Sequence, residues 1–348
     1  MNIIYLNTTE KKPSGGSKTI YKHSHIINNL KIKNLTSEVL HLKKTKLSKL
    51  KISLKKKFKI QQSEHYGWKF SDICIEKNHK IKWISNSIRL RNNFYFNPKN
   101  DFVIMPEIWA HFAEDMLIKK NIKYAIFVQN GYAMNSTSDQ KKLVNCYKKA
   151  EFILSYSKDI SECIKTVFNI DKKKIIKTNI SIKSEKEFKK KNIITYMPRK
   201  LRNHSNNLLF FIKSHLPKKW FIRSIDGLNE KQVFEIFKES RIFLSFSDME
   251  GLGMPPIESA ILGNKVIGYT GQGGNEYWKR PLFEKIENGN IIKFCKTILY
   301  NINLINDKWV KKTSNHRRKL IKKYSSEQEK VKILKMIKII SYILKSKE

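Results

Sequence analysis

The stretch from Phe243 to Trp278, FLSFSDMEGLGMPPIESAILGNKVIGYTGQGGNEYW, constrains this chain more than any other. Arg241 to Phe246 (RIFLSF) is a short run of aromatic and branched residues, the pattern of a buried strand. A loop is expected after it. Gly251 and Gly253 there let the backbone approach a ligand and allow positive φ. A helix is expected from Pro255, because proline lacks a donor that a first turn leaves unpaired anyway. It continues through Ile257 to Leu262 and stops at Gly263. Strand, glycine loop and helix N-terminus together make an anion site, since unpaired amides and the positive end of the helix dipole face the same loop. A diphosphate suits such a site. Lys265 to Tyr269 (KVIGY) reads as a second buried strand, and Gly271-Gln272-Gly273-Gly274-Asn275 as a second glycine-rich loop that Glu276 closes.

Two glutamates, Glu250 and Glu258, bracket the first loop with seven residues between them. Together with Gly251, Gly253, Pro255, Gly263, Gly273, Gly274 and Glu276 they form a pattern that resembles the donor-binding motif of GT-B glycosyltransferases of the family 4 (group 1) type. The resemblance implies an α/β fold of two Rossmann-like lobes facing a central cleft, with a C-terminal helix crossing back to the first lobe. It implies transfer of a sugar from a nucleoside-diphosphate sugar to a hydroxyl acceptor, a glycan or lipid-linked saccharide, with retention and without a metal. No Asp-x-Asp metal motif is apparent, and no cofactor is implied beyond the donor substrate. On the same ground Glu250 would hydrogen-bond the donor sugar and Glu258 the ribose, with Gly251, Leu252, Gly253, Met254 and Pro255 around the diphosphate. Front-face displacement, in which the leaving phosphate takes the acceptor proton, would need no protein nucleophile.

Upstream, Asn2 to Leu6 reads as a first buried strand, Pro13 to Ser17 as a flexible glycine loop, and Lys18 to Leu30 as a helix. By resemblance, Gly15, Gly16 and Ser17 lie against the donor phosphates and the acceptor. Glu38 to Leu42 reads as the second strand. The tract from Lys43 to Lys59 mixes lysines with apolar residues, so it reads either as a solvated excursion or as a segment lying on anionic lipid. Asp101 to Met105 and Tyr124 to Val128 read as strands, and Pro106 to Lys119 as a helix with His111 on its face. Tyr124 to Val128 ends at Gln129 and Asn130, and open α/β sheets place ligands at such carboxyl ends. Many members of the family it resembles carry a histidine near this point. Gln129 and Asn130 can hydrogen-bond hydroxyls but do not titrate near neutral pH.

Glu151 to Tyr156 reads as a strand and Ser157 to Phe168 as a helix capped by Ser157. The polar, lysine-rich run from Ile182 to Asn192 suits a boundary, which divides the chain into residues 1–182, 183–325 and a final helix over 326–348. Beyond it come a strand at Ile193 to Met197, a helix at Asn207 to Ser214, a strand at Trp220 to Ile225 and a helix at Gln232 to Lys238. The resemblance implies that Arg199, after the first of these strands, neutralises the pyrophosphate. Lys200 or Arg202 stands in for a lysine that the family carries further on. Lys311 to Ser346 is expected to be helical, with a stripe of Val331, Ile333, Leu334, Ile337, Ile340 and Ile343 that reads as core packing.

The formal charge of +40, from 70 Lys+Arg against 30 Asp+Glu, points by itself to nucleic acid or an anionic membrane. The basic residues are mostly lysine beside abundant Ile and Asn, which fits an AT-rich coding sequence, whereas phosphate or base readout favours the planar arginine fork. No nucleic-acid partner is therefore expected; a nucleotide sugar, a saccharide acceptor and a peripheral contact with anionic membrane are. A nucleotide-sugar-binding protein or an epimerase on the same fold, or a basic nucleic-acid-binding protein, are the competing readings. The four cysteines have no CxxC spacing, so neither zinc nor a disulfide framework is indicated. The first residues are too short for a leader, and no apolar run approaches a membrane span, so a cytoplasmic protein, at most peripheral on the inner face of the membrane, is expected.

Overall fold

A computed structural model of the chain describes residues 1–9, 14–45, 68–76, 88–185, 189–306 and 308–346. Most of the Lys43 to Lys59 tract lies outside these residues, as does Pro13. The chain divides into two compact units. One comprises Met1–Tyr156, Ile160–Thr178 and Lys330–Glu348, and the other Ser157–Asp159 and Asn179–Glu329.

The first unit is built on a sheet of β1 (Asn2–Thr8), β2 (Thr36–Lys44), β3 (Ile73–Ile75), β4 (Arg89–Arg91), β5 (Asp101–Pro106), β6 (Lys123–Val128), β7 (Phe152–Ser155) and β8 (Ile175–Lys177). Their order is β3-β2-β1-β5-β6-β7-β8, with β4 also beside β2. Only the β2–β3 pairing is antiparallel among the described strands. The strands are continuous apolar runs because both faces are covered, as a parallel sheet requires. Side chains alternate between the faces. Ile4, Leu6, Val103, Met105, Ile126 and Val128 pack on one side, Ile3, Tyr5, Phe102, Ile104 and Phe127 on the other. The second face is covered by the helix Gly15–Asn29 and by the last helix, Ser326–Lys345, through Ile333, Met336, Ile337 and Ile340. The terminal stripe is thus core packing, although Val331 points out to solvent.

The second unit holds a parallel sheet of β9 (Ile193–Tyr196), β10 (Phe221–Ser224), β11 (Ile242–Glu250), β12 (Lys265–Gln272) and β13 (Phe283–Lys285), in the order β10-β9-β11-β12-β13. The helices Arg202–Lys213 and Ile291–Leu304 lie side by side and bury Leu208, Ile212, Phe294 and Ile298 against it. Two parallel α/β units, one carrying the chain's last helix, make up the fold.

Several local expectations are corrected. Gly15 and Gly16 are not a loop; they form the first turn of Gly15–Asn29, because the Ser14 side chain accepts a hydrogen bond from the Ser17 amide and caps the helix one turn early. Pro106 to Lys119 is not one helix. It is a 3-10 segment (Glu107–Phe112), a single turn (Ala113–Met116) and a second 3-10 turn (Ile118–Lys120). Glu107, Trp109, Ala110, His111 and Phe112 are all buried, so this segment has no solvent face on which an amphipathic helix could rest. His111 is accordingly not a helix-face residue; its ring nitrogens lie 2.9 Å from Ser136 Oγ and 3.0 Å from the Trp68 carbonyl. A helix that the pattern of the sequence does not announce, Gln140–Lys149, is capped by Asp139. The basic stretch before the terminus is broken into Trp309–Lys312, Ser314–Lys323 and Ser326–Lys345.

Candidate functional site

β11 does not end at Phe246. It runs on to Glu250, and its pairing with β12 shifts between Ser247 (opposite Thr270) and Glu250 (opposite Gln272). One extra residue is accommodated there, with Met249 at φ 41. Such a bulge bends the strand and re-aims the side chains that follow. The sheet tolerates it because β12 is bare at this point. A Cβ on Gly271 would lie 2.8 Å from Ser247 Cβ and 3.0 Å from Glu250 Cβ, and one on Gly273 would overlap the Gly251 carbonyl. The second glycine cluster therefore backs the first.

Glu250 at the end of β11 is half-buried and forms an ion pair with Lys200, which sits just beyond β9. Two residues predicted from distant parts of the sequence are brought together here. Leu201, in the left-handed region at φ 46, starts the helix Arg202–Lys213, so Arg199, Lys200 and Arg202 all lie at a strand end and a helix N-terminus. Arg199 and Arg202 are solvent-exposed.

The turn after Glu250 is held by its carbonyls. The Ser157 hydroxyl donates to the Gly251 carbonyl at 2.7 Å. The buried Tyr277 hydroxyl reaches the carbonyls of Leu252 (3.0 Å) and Gly253 (2.8 Å). Burial pushes the Tyr277 hydroxyl well above its usual range, so it remains a donor at neutral pH. A trans peptide points its N–H opposite its C=O. Drawing in the carbonyls of Gly251, Leu252 and Gly253 thus turns the amides of Leu252, Gly253 and Met254 the other way. Successive amides aimed in one direction form an anion-binding concavity. The helix Met254–Ile261 begins here, one residue earlier than expected, with Gly253 at φ 74 as its cap. Pro255 and Pro256 occupy its second and third positions, so its first three residues carry a single amide donor, that of Met254. An anion placed here would therefore meet the amides of the turn more than those of the helix. Glu258 lies one turn further on and is half-buried. Glu276 is bound on both oxygens: the Lys158 amide donates to one at 2.9 Å and Lys323 pairs with the other at 3.0 Å.

In the first unit the structure joins two predicted segments. The Gln129 side-chain amide donates to the Gly16 carbonyl at 3.4 Å, and a Cβ on Gly16 would overlap that amide. Ser17 turns away from them, its hydroxyl donating to Asn7 Oδ1 at 3.0 Å. The Asn130 side chain accepts from the Tyr132 amide at 3.1 Å. A further group, not evident from the sequence pattern, holds this turn. Glu107, buried at the end of β5, accepts from the amides of Gln129 (3.2 Å) and Asn130 (2.9 Å). Burial raises its carboxyl to about 7, against the pull of those amides, which lowers it. A glutamate between Met-Pro and Ile-Trp-Ala, at the end of an apolar strand, was the available signal. Tyr277 and Ser157 carried no comparable signal, because their partners are distant in sequence.

Comparison with protein-family models and with curated proteins returns no match. Solved structures do match. A TarM variant from S. aureus, in complex with fondaparinux, alpha-GlcNAc-glycerol and UDP, is 13% identical with a TM-score of 0.63, over 99% of this chain and 100% of that one. A glycosyltransferase from Rickettsia africae is 15% identical with a TM-score of 0.61, over 99% of both chains. HepE from Anabaena, in complex with UDP, is 9% identical with a TM-score of 0.62, over 97% of this chain and 100% of that one. At such identities the likeness speaks for architecture. The chain has the GT-B fold.

Proposed function

We propose that the protein is a glycosyltransferase that moves a sugar from a nucleoside-diphosphate sugar to a hydroxyl of a saccharide or lipid-linked acceptor. The observation that carries the reading is the turn Gly251–Met254, whose carbonyls accept from Ser157 and Tyr277, which leaves the amides of Leu252, Gly253 and Met254 turned away from those hydroxyls. Solved neighbours of the same fold, in complex with UDP, support the choice of donor class.

As the bond from anomeric carbon to phosphate breaks, negative charge grows on the leaving diphosphate. The amides of Leu252, Gly253 and Met254, with Arg199, Lys200 or Arg202, are the groups to stabilise it. Prepositioned donors of this kind are worth roughly 3 kcal/mol of barrier each. Glu250 takes the hydroxyls of the donor sugar and Glu258 those of the ribose, with Gly251 and Pro255 shaping the approach. Donor binding inserts hydroxyls between Glu250 and Lys200, and Lys200 then turns to the phosphate. On the acceptor side we place Gly15, Gly16, Ser17, Gln129 and Asn130. The reaction proceeds with retention through front-face displacement, with no resident metal or cofactor. We assign this protein to the family 4 type, with a role in polysaccharide biosynthesis in the cytoplasm.

Replacing Glu258 with Ala tests the reading. Transfer from, and hydrolysis of, a panel of UDP- and GDP-sugars is expected to fall below detection while the melting temperature without ligand is kept. Full activity in this variant would remove the assignment.

A further inference from the structure

The helices Arg202–Lys213 and Ile291–Leu304 pack side by side on one face of the second sheet, and their outward surfaces carry large apolar side chains among exposed asparagines and lysines. Leu208 and Ile212 point into the core, so Phe210 between them points away from it and is 79% exposed. On the neighbouring helix Ile298 and Ile302 point inward and Tyr300 outward, 65% exposed. Ile292 and Leu304 on the same helix are both more than half exposed, with the exposed Lys296 between Ile292 and Tyr300. Phe211 adds a second ring, edge to face with Phe210.

The charges on this surface have one sign. Lys213, Lys293 and Lys296 are exposed on the same two helices, and Lys218, Lys219 and Arg223 follow the first. From residue 202 to 225, and again from 288 to 306, the sequence has no Asp or Glu. A face-to-face pairing of two copies would oppose lysine to lysine, which disfavours self-association. Aromatic rings with aliphatic neighbours beside lysines, a side chain whose long stem can lie along apolar surface while the ammonium stays in water, match the interfacial layer of an anionic bilayer.

We propose that this two-helix face docks the protein on an anionic lipid surface, with Phe210 and Tyr300 entering the headgroup layer and Lys213, Lys293 and Lys296 lying over lipid phosphates. The proposal does not depend on the sugar-transfer reading, and it assigns the contact to a defined surface instead of to the overall charge.

The test is flotation of the full chain with vesicles of phosphatidylcholine alone or with phosphatidylglycerol, at low and high salt, alongside sedimentation velocity without lipid. The wild-type chain is expected to float with the anionic vesicles and not the neutral ones, as a monomer. Phe210→Ser with Tyr300→Ser should weaken vesicle binding roughly tenfold or more, since each ring loses its apolar insertion. Lys293→Gln with Lys296→Gln should weaken it several-fold and reduce its salt dependence. All four positions are exposed, so unchanged melting temperatures confirm that the variants fold. Wild-type binding by the aromatic variant overturns the proposal, and leaves the general charge as the cause. Equal, Phe210-dependent binding to soluble polyglutamate overturns it in favour of an acidic protein partner. A dimer that the aromatic variant dissolves overturns it in favour of a second copy.

Discussion

Two strand-end turns, one in each unit, use their backbone in opposite ways. After β11, the carbonyls of Gly251, Leu252 and Gly253 are bound from within by Ser157 and Tyr277, and the amides of Leu252, Gly253 and Met254 point away from those hydroxyls. After β6, the amides of Gln129 and Asn130 are bound from within by the buried Glu107, and the carbonyls of Val128 and Gln129 point away from that carboxyl. The first turn offers donors and suits a phosphate; the second offers acceptors and side-chain amides and suits hydroxyls. Equivalent places in two α/β sheets thus present different backbone groups, according to which internal group holds the turn. A hydroxyl pulls on carbonyls, and a carboxylate pulls on amides.

The largest expected effect comes from the glycine behind the donor-type turn. Gly273→Ala puts a methyl group where the Gly251 carbonyl stands, so backbone must move. A stability loss of about 3 kcal/mol in chemical denaturation is expected, with binding of UDP and GDP lost in calorimetry. Retention of both would show that the turn is not set by its neighbour.

The acceptor-type turn is probed through pH. Glu107 is raised from 4.5 to about 7, so the folded chain holds a proton that the unfolded chain releases within that window. The unfolded state binds fewer protons there, so stability falls as pH rises from about 4.5 through 7 and levels off above, by on the order of 3 kcal/mol in total. Denaturation midpoints measured across pH 4.5 to 8 should show this slope in the wild type and its loss in Glu107→Gln. The same slope in both would assign the proton elsewhere.

Smaller effects follow from the hydroxyls. Tyr277→Phe removes the group that holds two carbonyls while keeping the ring, and should cost about 1 to 2 kcal/mol of stability with roughly tenfold weaker diphosphate binding. Ser157→Ala removes one bond, and should cost about 1 kcal/mol with a several-fold loss of affinity. Neither substitution should alter the pH slope that belongs to Glu107. If they did, the two turns would not be independent.

What the sequence revealed and what it hid divide along contact range. The strands around β1, β5, β6 and β12 are continuous apolar runs, and Glu250, the glycine turn and the prolines of the next helix are neighbours in sequence, so the donor-type turn could be read directly. The extension of β11 to Glu250 could not, because Ser247, Asp248 and Met249 look like loop and are kept in the sheet by a bulge against β12. Tyr277 and Ser157 act on the turn from 24 and 94 residues away. Glu107 was hidden by the helical reading of Pro106 to Lys119, which its own burial contradicts. The first glycine pair reads as loop because the cap at Ser14 lies outside the apolar pattern.

The central claim, that the turn after β11 receives the donor diphosphate through its backbone, is tested most directly by amide chemical shifts of isotope-labelled protein titrated with UDP and GDP. The resonances of Leu252, Gly253 and Met254 are expected to move with saturation, while those of Gln129 and Asn130, bound to Glu107, stay in place. Saturable shifts at Gln129 and Asn130 with none at Leu252, Gly253 and Met254 would contradict it.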